Sequence, residues 1–351
     1  MKILVLGGGA QGSVIAADLA RALPGALIRV ADLRDPQLPR LSNLERLEAD
    51  LADLPTVVQL LREHDLGVGA LPSRLGFSVF KAAIEAKRNL VDVSFAAEDP
   101  LVLDADAKAA GITIVPDCGV APGLSNLLIG HAVATRGTPE EITIMVGGVA
   151  EDAARPYGYV VTWSLDDLLE EYTRPARIIR DGRLTLVPVF SGLERVEVDG
   201  VGEMEAFYSD GLRSLLHTVP GVREMGEKTL RWPGHAEAVR PLLAEGRLVE
   251  ELRARCTVDP PRDLLALLVR FRRGSESGQV TMVDRYDPRS GLTAMARTTA
   301  LTTAAVARLA AQRGLGSPGV RPLEVLGRDE LAYRFVVETM AGHGVRFSGT
   351  L

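Results

Sequence analysis

Residues Thr229–Ala238 read TLRWPGHAEA and crowd a guanidinium, an indole and an imidazole (Arg231, Trp232 and His235) around a Pro-Gly turn. Arginine grips a carboxylate through two parallel hydrogen bonds, and an imidazole exchanges its proton near neutral pH. The trio therefore suits a small anionic or zwitterionic molecule, with Trp232 as a wall. It equally suits a packed corner in which His235 sits in the first turn of a helix. A second set with chemical potential is Gly7-x-Gly9-x-x-Gly12 in GGGAQG. Glycines at this spacing let the backbone turn sharply, admit a pyrophosphate and pack a helix against a strand.

The flanking elements decide whether that glycine turn is in the right place. KILVL (Lys2–Leu6) reads as a buried strand and SVIAADLARAL as a helix, so the order is strand, turn, helix. The amides of Ala10 and Gln11 then face phosphate at the positive end of the helix. A second strand, ALIRVAD, ends at Asp32, where a carboxylate accepts from a ribose diol and repels a 2′-phosphate. This predicts NAD in preference to NADP, with Arg34 as the countervailing charge.

Strands and helices continue to alternate through ITIVPD, giving six short strands and hence parallel βαβ units in a doubly wound sheet. Ligand groups belong at the strand ends: Asp50 and Leu51, Leu71-Pro72-Ser73, Ser94-Phe95, and Asp117-Cys118. Asp50 is expected on the adenine side and Leu71-Pro72 beside the nicotinamide half, although Pro72 can also simply end its strand. Beyond Asp117 a Gly/Pro loop feeds a helix, and strands then follow one another without long helices between them: EITIMVGGV, RLTLVPVF, ERVEV, EMEAFYS, REMGEKTLRW, LLALLVRFRR and GQVTMVDRYD. Clustered strands predict an α+β second domain with a large mixed sheet. The expected division is 1–120 for dinucleotide binding and 121–351 for substrate and dimerisation, with helices at about 292–342 packing back on the first domain.

Composition removes several classes of function. Of 351 residues 46% are hydrophobic and 25% charged, and the net charge is −6 with no dense basic block, which disfavours nucleic acid. No apolar run approaches the roughly 20 residues of a membrane span, and MKILVLGGG breaks too early for a signal core, so a cytoplasmic protein is expected. The two cysteines, Cys118 and Cys256, give neither a disulfide framework nor metal-ligand spacing and read as buried small residues. His64 and His343 read as surface residues.

The motifs VLGGGAQG, VPDCGVAPGLSNLLIGH, VGGV, WSLDDLLEEYTRPA, EAFYSDGLRSLLHT, EKTLRWPGHAE and TAMARTTALTTAAVARL run in order along nearly the whole chain. Together they resemble the saccharopine dehydrogenase-like family, most nearly its L-lysine 6-dehydrogenase branch. The resemblance implies a Rossmann domain, a sheet-based substrate domain that also forms a homodimer, and NAD(P)-linked oxidation at an amine carbon. Saccharopine reductases in this family carry an acidic residue before the crossover Pro-Gly and a cysteine before the next Gly-Gly, where this sequence has Ala121 and Val146. The departures favour a smaller amine.

Such a reaction needs the amine carbon against the nicotinamide and a proton acceptor with a pKa near 7. His235 is the first candidate for that acceptor and Asp117, at the end of the sixth strand, the second. Arg231 is the expected carboxylate ligand, and Trp163 and His217 are weaker candidates for substrate contact. The expected activity is NAD-dependent oxidative deamination of the ε-amine of L-lysine. The alternatives are a saccharopine or carboxynorspermidine dehydrogenase-like secondary-amine oxidoreductase, or a non-catalytic dinucleotide-binding dimer. Val280 and Met282, in the long hairpin strands, are expected on the homodimer interface.

Overall fold

In a computed structural model describing residues 1–351, KILVL forms β1 (Lys2–Leu6), and alternate side chains serve two different cores. Leu4 and Leu6 pack into one apolar layer with Val79, Phe80 and Ala83, while Ile3 and Val5 pack into the other with Ile15, Leu19 and the helical alanines Ala300, Ala304 and Ala307. A strand apolar on both faces must be covered on both, which is the doubly wound arrangement.

The first compact unit comprises Met1–His131 and Arg297–His343. After β1 come α1 (Ala10–Ala22), β2 (Leu27–Asp32), β3 (Leu44–Glu48), α2 (Leu54–Arg62), β4 (Leu66–Gly69), α3 (Ser73–Ala86), β5 (Asn89–Asp92), α4 (Asp104–Ala110), β6 (Thr113–Val115) and α5 (Leu124–Arg136). The all-parallel sheet runs β6-β5-β4-β1-β2-β3, and a seventh, two-residue strand at Gly319–Val320 extends it beyond β6. That seventh strand is too short to show a period in the sequence. His64 is buried rather than on the surface, its Nδ1 2.6 Å from the Leu60 carbonyl. His343 is also engaged, its Nε2 2.9 Å from Asp18.

The second unit comprises Ala132–Ala296 and Gly344–Leu351. Its elements are β7 (Glu141–Ala150), α6 (Leu165–Thr173), β8 (Ala176–Arg180), β9 (Arg183–Val187), β10 (Glu194–Val198), β11 (Gly202–Ser209), α7 (Leu215–Thr218), β12 (Glu224–Arg231), α8 (His235–Ala244), α9 (Leu248–Cys256), β13 (Asp263–Arg273) and β14 (Glu276–Arg285). The chain then forms α10 (Ala294–Arg313), β15 (the Gly319–Val320 strand), α11 (Leu323–Leu326), α12 (Glu330–Gly342) and β16 (Phe347–Thr350).

This sheet runs β10-β11-β12-β7-β13-β14-β16 with β8 and β9 attached to β12, and only the β12–β7 pair is parallel. It coils enough for Arg285 of β14 to donate to the Gly200 carbonyl in the β10–β11 turn at 2.9 Å. Val196, Val198 and Met204 thereby share a core with Leu264, Ala266 and Leu268. The expected place of Val280 and Met282 on a homodimer interface is corrected: they are already 6% and 0% exposed within one chain, and β16 pairs along the edge of β14 through Val280↔Gly349 and Met282↔Phe347. No helix is long and apolar enough to cross a membrane.

Candidate functional site

The glycine turn builds a cradle in the first unit. Gly7 adopts φ +101°, and a Cβ there would lie 2.5 Å from the Ala70 carbonyl oxygen. A Cβ on Gly12 would lie 1.8 Å from the Gly7 carbonyl oxygen, so α1 packs directly on the turn. At Gly9 nothing stands within 4 Å. No side chain caps α1, which leaves the first-turn amides of Ala10 and Gln11 facing that open space, and Gln11 Oε1 has no protein partner. Two glycines needed for tight packing and one bordering empty space fit a bound pyrophosphate.

Asp32 ends β2 with both carboxylate oxygens held: Oδ2 accepts from the Gly8 amide at 2.7 Å and Oδ1 from the Arg34 amide at 2.9 Å. Its carboxylate is thus fixed beside the cradle. Asp50 is exposed beyond β3 and accepts from the Ala52 amide at 2.9 Å, while Leu51 packs onto the core. Leu71 is half-buried, and a Cβ on Gly7 would approach its Cδ2 to 3.1 Å; exposed Pro72 caps α3. Ser94 is buried and committed to Asp92, to which its amide donates at 2.7 Å and its hydroxyl also donates.

Asp92 itself escaped the sequence reading. It is fully buried at the end of β5, and its Oδ2 lies 1.6 Å from where a Gly69 Cβ would be. Burial pushes its carboxyl up to about 7, the Ser94 hydrogen bonds pull the other way, and the charge of Asp117 adds to the rise. Asp117 is also buried and holds a left-handed φ of +52°, uncommon without a glycine. The thiol of buried Cys118 is pushed well up, chiefly by burial and then by both aspartates. A carboxylate in the otherwise apolar LVDV run was the available signal.

The TLRWPGHAEA segment divides as its pattern suggests, with β12 ending at Arg231 and α8 starting at His235. Arg231 is buried; its Nε donates to the Tyr172 hydroxyl at 2.6 Å, Nη1 to the Leu230 carbonyl at 2.9 Å, and Nη2 reaches Glu171 at 3.5 Å. Its guanidinium also lies 5.6 Å from the centre of the Tyr159 ring. Trp232 is a support: its indole N–H donates to the Ala150 carbonyl at 2.8 Å.

His235 Nδ1 stands 2.7 Å from the Tyr157 carbonyl and Nε2 2.8 Å from the Tyr172 hydroxyl. A carbonyl can only accept, so Nδ1 carries the proton and Nε2 accepts from Tyr172. Burial pulls His235 down to about 3, and the charge of Arg231 pulls the same way. A group with pKa near 7 is not found here, because both ring nitrogens serve the packing of α6 and the Tyr157 loop. Glu205, missed in the sequence, holds the start of α8 through the Gly234 and Ala236 amides at 2.8 and 2.6 Å. Trp163 is half-buried at the edge of the Tyr159–Tyr172 core, and His217 is exposed on α7. The structure thus brings Arg231 and His235 together through Tyr172, and places Trp163 near that core.

Residues 3–115 match the model of the saccharopine dehydrogenase NADP binding domain, and residues 119–345 match that of the saccharopine dehydrogenase C-terminal domain. The chain belongs to the saccharopine dehydrogenase family. A saccharopine dehydrogenase [NADP(+), L-glutamate-forming] of Pyricularia oryzae is 29% identical over 147 residues, 40% of this chain and 33% of that one. The Saccharomyces cerevisiae protein of the same name is 24% identical over 229 residues, 61% of this chain and 50% of that one. Mouse mitochondrial alpha-aminoadipic semialdehyde synthase is 25% identical over 269 residues, 71% of this chain and 29% of that one. The matches therefore span half or less of these curated relatives. Apo saccharopine dehydrogenase (L-Glu forming) from Saccharomyces cerevisiae shares the fold, with a TM-score of 0.79, 17% identity and full coverage of both chains. In this saccharopine dehydrogenase family member Val146 lies on β7 directly beside Thr229 of β12, so that departure borders the polar face carrying Arg231.

Proposed function

We propose that this chain oxidises an amine carbon of an amino acid, with a pyridine nucleotide as hydride acceptor, and that the substrate is the ε-amine of L-lysine. The observation that carries the proposal is the cradle of Gly7, Gly9 and Gly12 against an uncapped α1, in a chain whose two domains both match the family. The nicotinamide supplies hydride acceptance; the protein's part is to bind, orient and manage protons. Balanced, R–CH2–NH3⁺, NAD⁺ and water give R–CHO, NH4⁺, NADH and H⁺.

In this reading the first unit holds the cofactor through Gly7, Gly9, Ala10, Gln11, Gly12 and Asp32, with Asp50, Leu51, Leu71 and Pro72 at the neighbouring strand ends. NAD is the proposed cofactor because the fixed carboxylate of Asp32 opposes a 2′-phosphate, although relatives are named for NADP(+). In the second unit Arg231 is proposed to orient the substrate carboxylate, using the two guanidinium N–H groups its protein partners leave over. His235 supports it through Tyr172 rather than taking the proton. Asp117, buried at the end of β6 with its charge acting on Asp92, is the proposed proton acceptor.

A homodimer belongs to the same proposal, resting on the resemblance. Its interface is not placed on Val280 and Met282, and light scattering of the whole chain tests it. The reaction is tested by following NADH absorbance with L-lysine, L-ornithine and saccharopine. Reduction with L-lysine, and a rate lowered roughly a hundredfold or more in Asp117→Asn, support the proposal; no reduction with any of the three overturns it.

A further inference from the structure

Four carboxylates gather on the polar side of the second-unit sheet: Glu205, which holds the start of α8, and Asp210, Glu171 and Glu227. Asp210 is held by Arg177, with Nε–Oδ1 at 2.8 Å and Nη2–Oδ2 at 2.9 Å, and Arg174 stands 3.9 Å away. Glu171 of α6 takes the Arg231 guanidinium at 3.5 Å and the Thr229 hydroxyl. Glu227, two residues before Thr229 on β12, remains. It is 4% exposed, and its Oε2 is buried without any hydrogen-bond partner. Its Oε1 lies 1.6 Å from where a Gly211 Cβ would be, so the backbone is cleared of a side chain to admit this carboxyl.

Leaving a buried carboxyl without a donor is destabilising, the more so if it is charged. Nothing in the packing requires it: Glu227 pairs across the sheet with Ser209 and Ile144, positions where an apolar residue would fit an otherwise buried strand. Thr229 has one hydroxyl hydrogen, which goes to Glu171; Ser209, 2.9 Å away, therefore donates to Thr229 and keeps acceptor capacity of its own. The face thus offers acceptors on Glu227, Glu171 and Ser209, and no protein donor reaches Glu227 Oε2. No trio of His, Cys, Asp or Glu is disposed to hold a metal ion.

We propose that Glu227, with Glu171 and Ser209, forms a subsite for a primary ammonium group, the amine of an amino-acid ligand. An ammonium has three N–H donors and one positive charge, matching three acceptors and one unbalanced carboxylate. This inference rests on the reading that the ligand is an amino acid, and it assigns which residues take its nitrogen. Empty, the site keeps its proton: burial pushes Glu227 up to about 8, and the charges of Glu171 and Asp210 add to it. Arg231, Arg177 and Arg174 are the facing cations, and the first two are committed to Glu171 and Asp210. An arriving ammonium expels that proton.

The test is calorimetry of the whole chain with 6-aminohexanoate and with hexanoate at pH 7, in two buffers of different ionisation enthalpy. Wild type is expected to bind the amine at least tenfold more tightly than hexanoate and to release about one proton. Glu227→Gln should lose both the preference and the release while unfolding at no lower temperature than wild type at pH 8. The buffer dependence of the wild type needs no variant. A wild type that binds both probes alike, or a Glu227→Gln protein that keeps the preference and the release, overturns the subsite. Neither measurement involves turnover, so an amine preference without NADH formation from L-lysine would refute the reaction and leave the subsite standing.

Discussion

Three glycines within six residues should respond to alanine in different ways, because the structure gives each different surroundings. In Gly12→Ala the new Cβ would sit 1.8 Å from the Gly7 carbonyl oxygen, so α1 must move away from the turn by about 1.6 Å to reach ordinary contact. Overpacking of this kind costs about 1–3 kcal/mol of stability. It also withdraws the first-turn amides from a bound pyrophosphate. Losing one or two charge-assisted hydrogen bonds at about 1.5–3 kcal/mol each weakens binding at least tenfold. Gly9→Ala starts from φ −69° with nothing within 4 Å, so it should cost less than about 1 kcal/mol in stability. Its methyl group nevertheless enters the space that the phosphates need, so NAD affinity should fall at least tenfold. Gly7→Ala combines a φ of +101° with a 2.5 Å clash and should be the least stable of the three. Urea unfolding and fluorescence titration with NAD separate the two effects. Unchanged NAD affinity in Gly9→Ala, with stability also unchanged, would refute the cradle.

The other expectations follow from single contacts. Asp32→Ser should raise NADP affinity at least tenfold relative to NAD in paired titrations, since it removes the carboxylate fixed at the end of β2; an unchanged ratio contradicts that role. Glu205→Ala removes the acceptor for two α8 amides and should cost about 2–4 kcal/mol in urea unfolding. Burial pushes Asp92 up to about 7 from the 3.8 of the free group, so the folded state holds the proton to higher pH. Its contribution is present below about 3.8 and is lost as pH rises to about 7, at up to about 1.4 kcal/mol per pH unit. Asp92→Asn should flatten that part of the stability profile; a parallel profile would show that Asp92 does not titrate there.

Much of the first unit was legible because its signals are local. Lys2–Leu6, the glycine turn and Asp32 lie within one βαβ stretch, and the period of the chain reports strand and helix directly. The turn in TLRWPGHAEA was legible for the same reason. What the sequence hid depends on partners far along the chain. Nothing in the short run Phe347–Thr350 marks a strand, yet as β16 it pairs along the edge of β14. His235 looked like a base because its spacing from Arg231 was visible and its contacts with Tyr172 and Tyr157 were not. Glu227 sat within REMGEKTLRW, where Glu227, Thr229 and Arg231 at every second residue marked one polar strand face. That alternation was the signal that could have exposed it.

The central claim is that hydride leaves an amine carbon for the nicotinamide. Incubation of the whole chain with NAD and L-lysine deuterated at C6 tests it most directly, with the cofactor examined by mass spectrometry and ammonia assayed alongside. The account predicts one deuterium in each NADH and one ammonia per NADH formed; NADH without deuterium, or deuterated lysine recovered intact with no NADH, would contradict it.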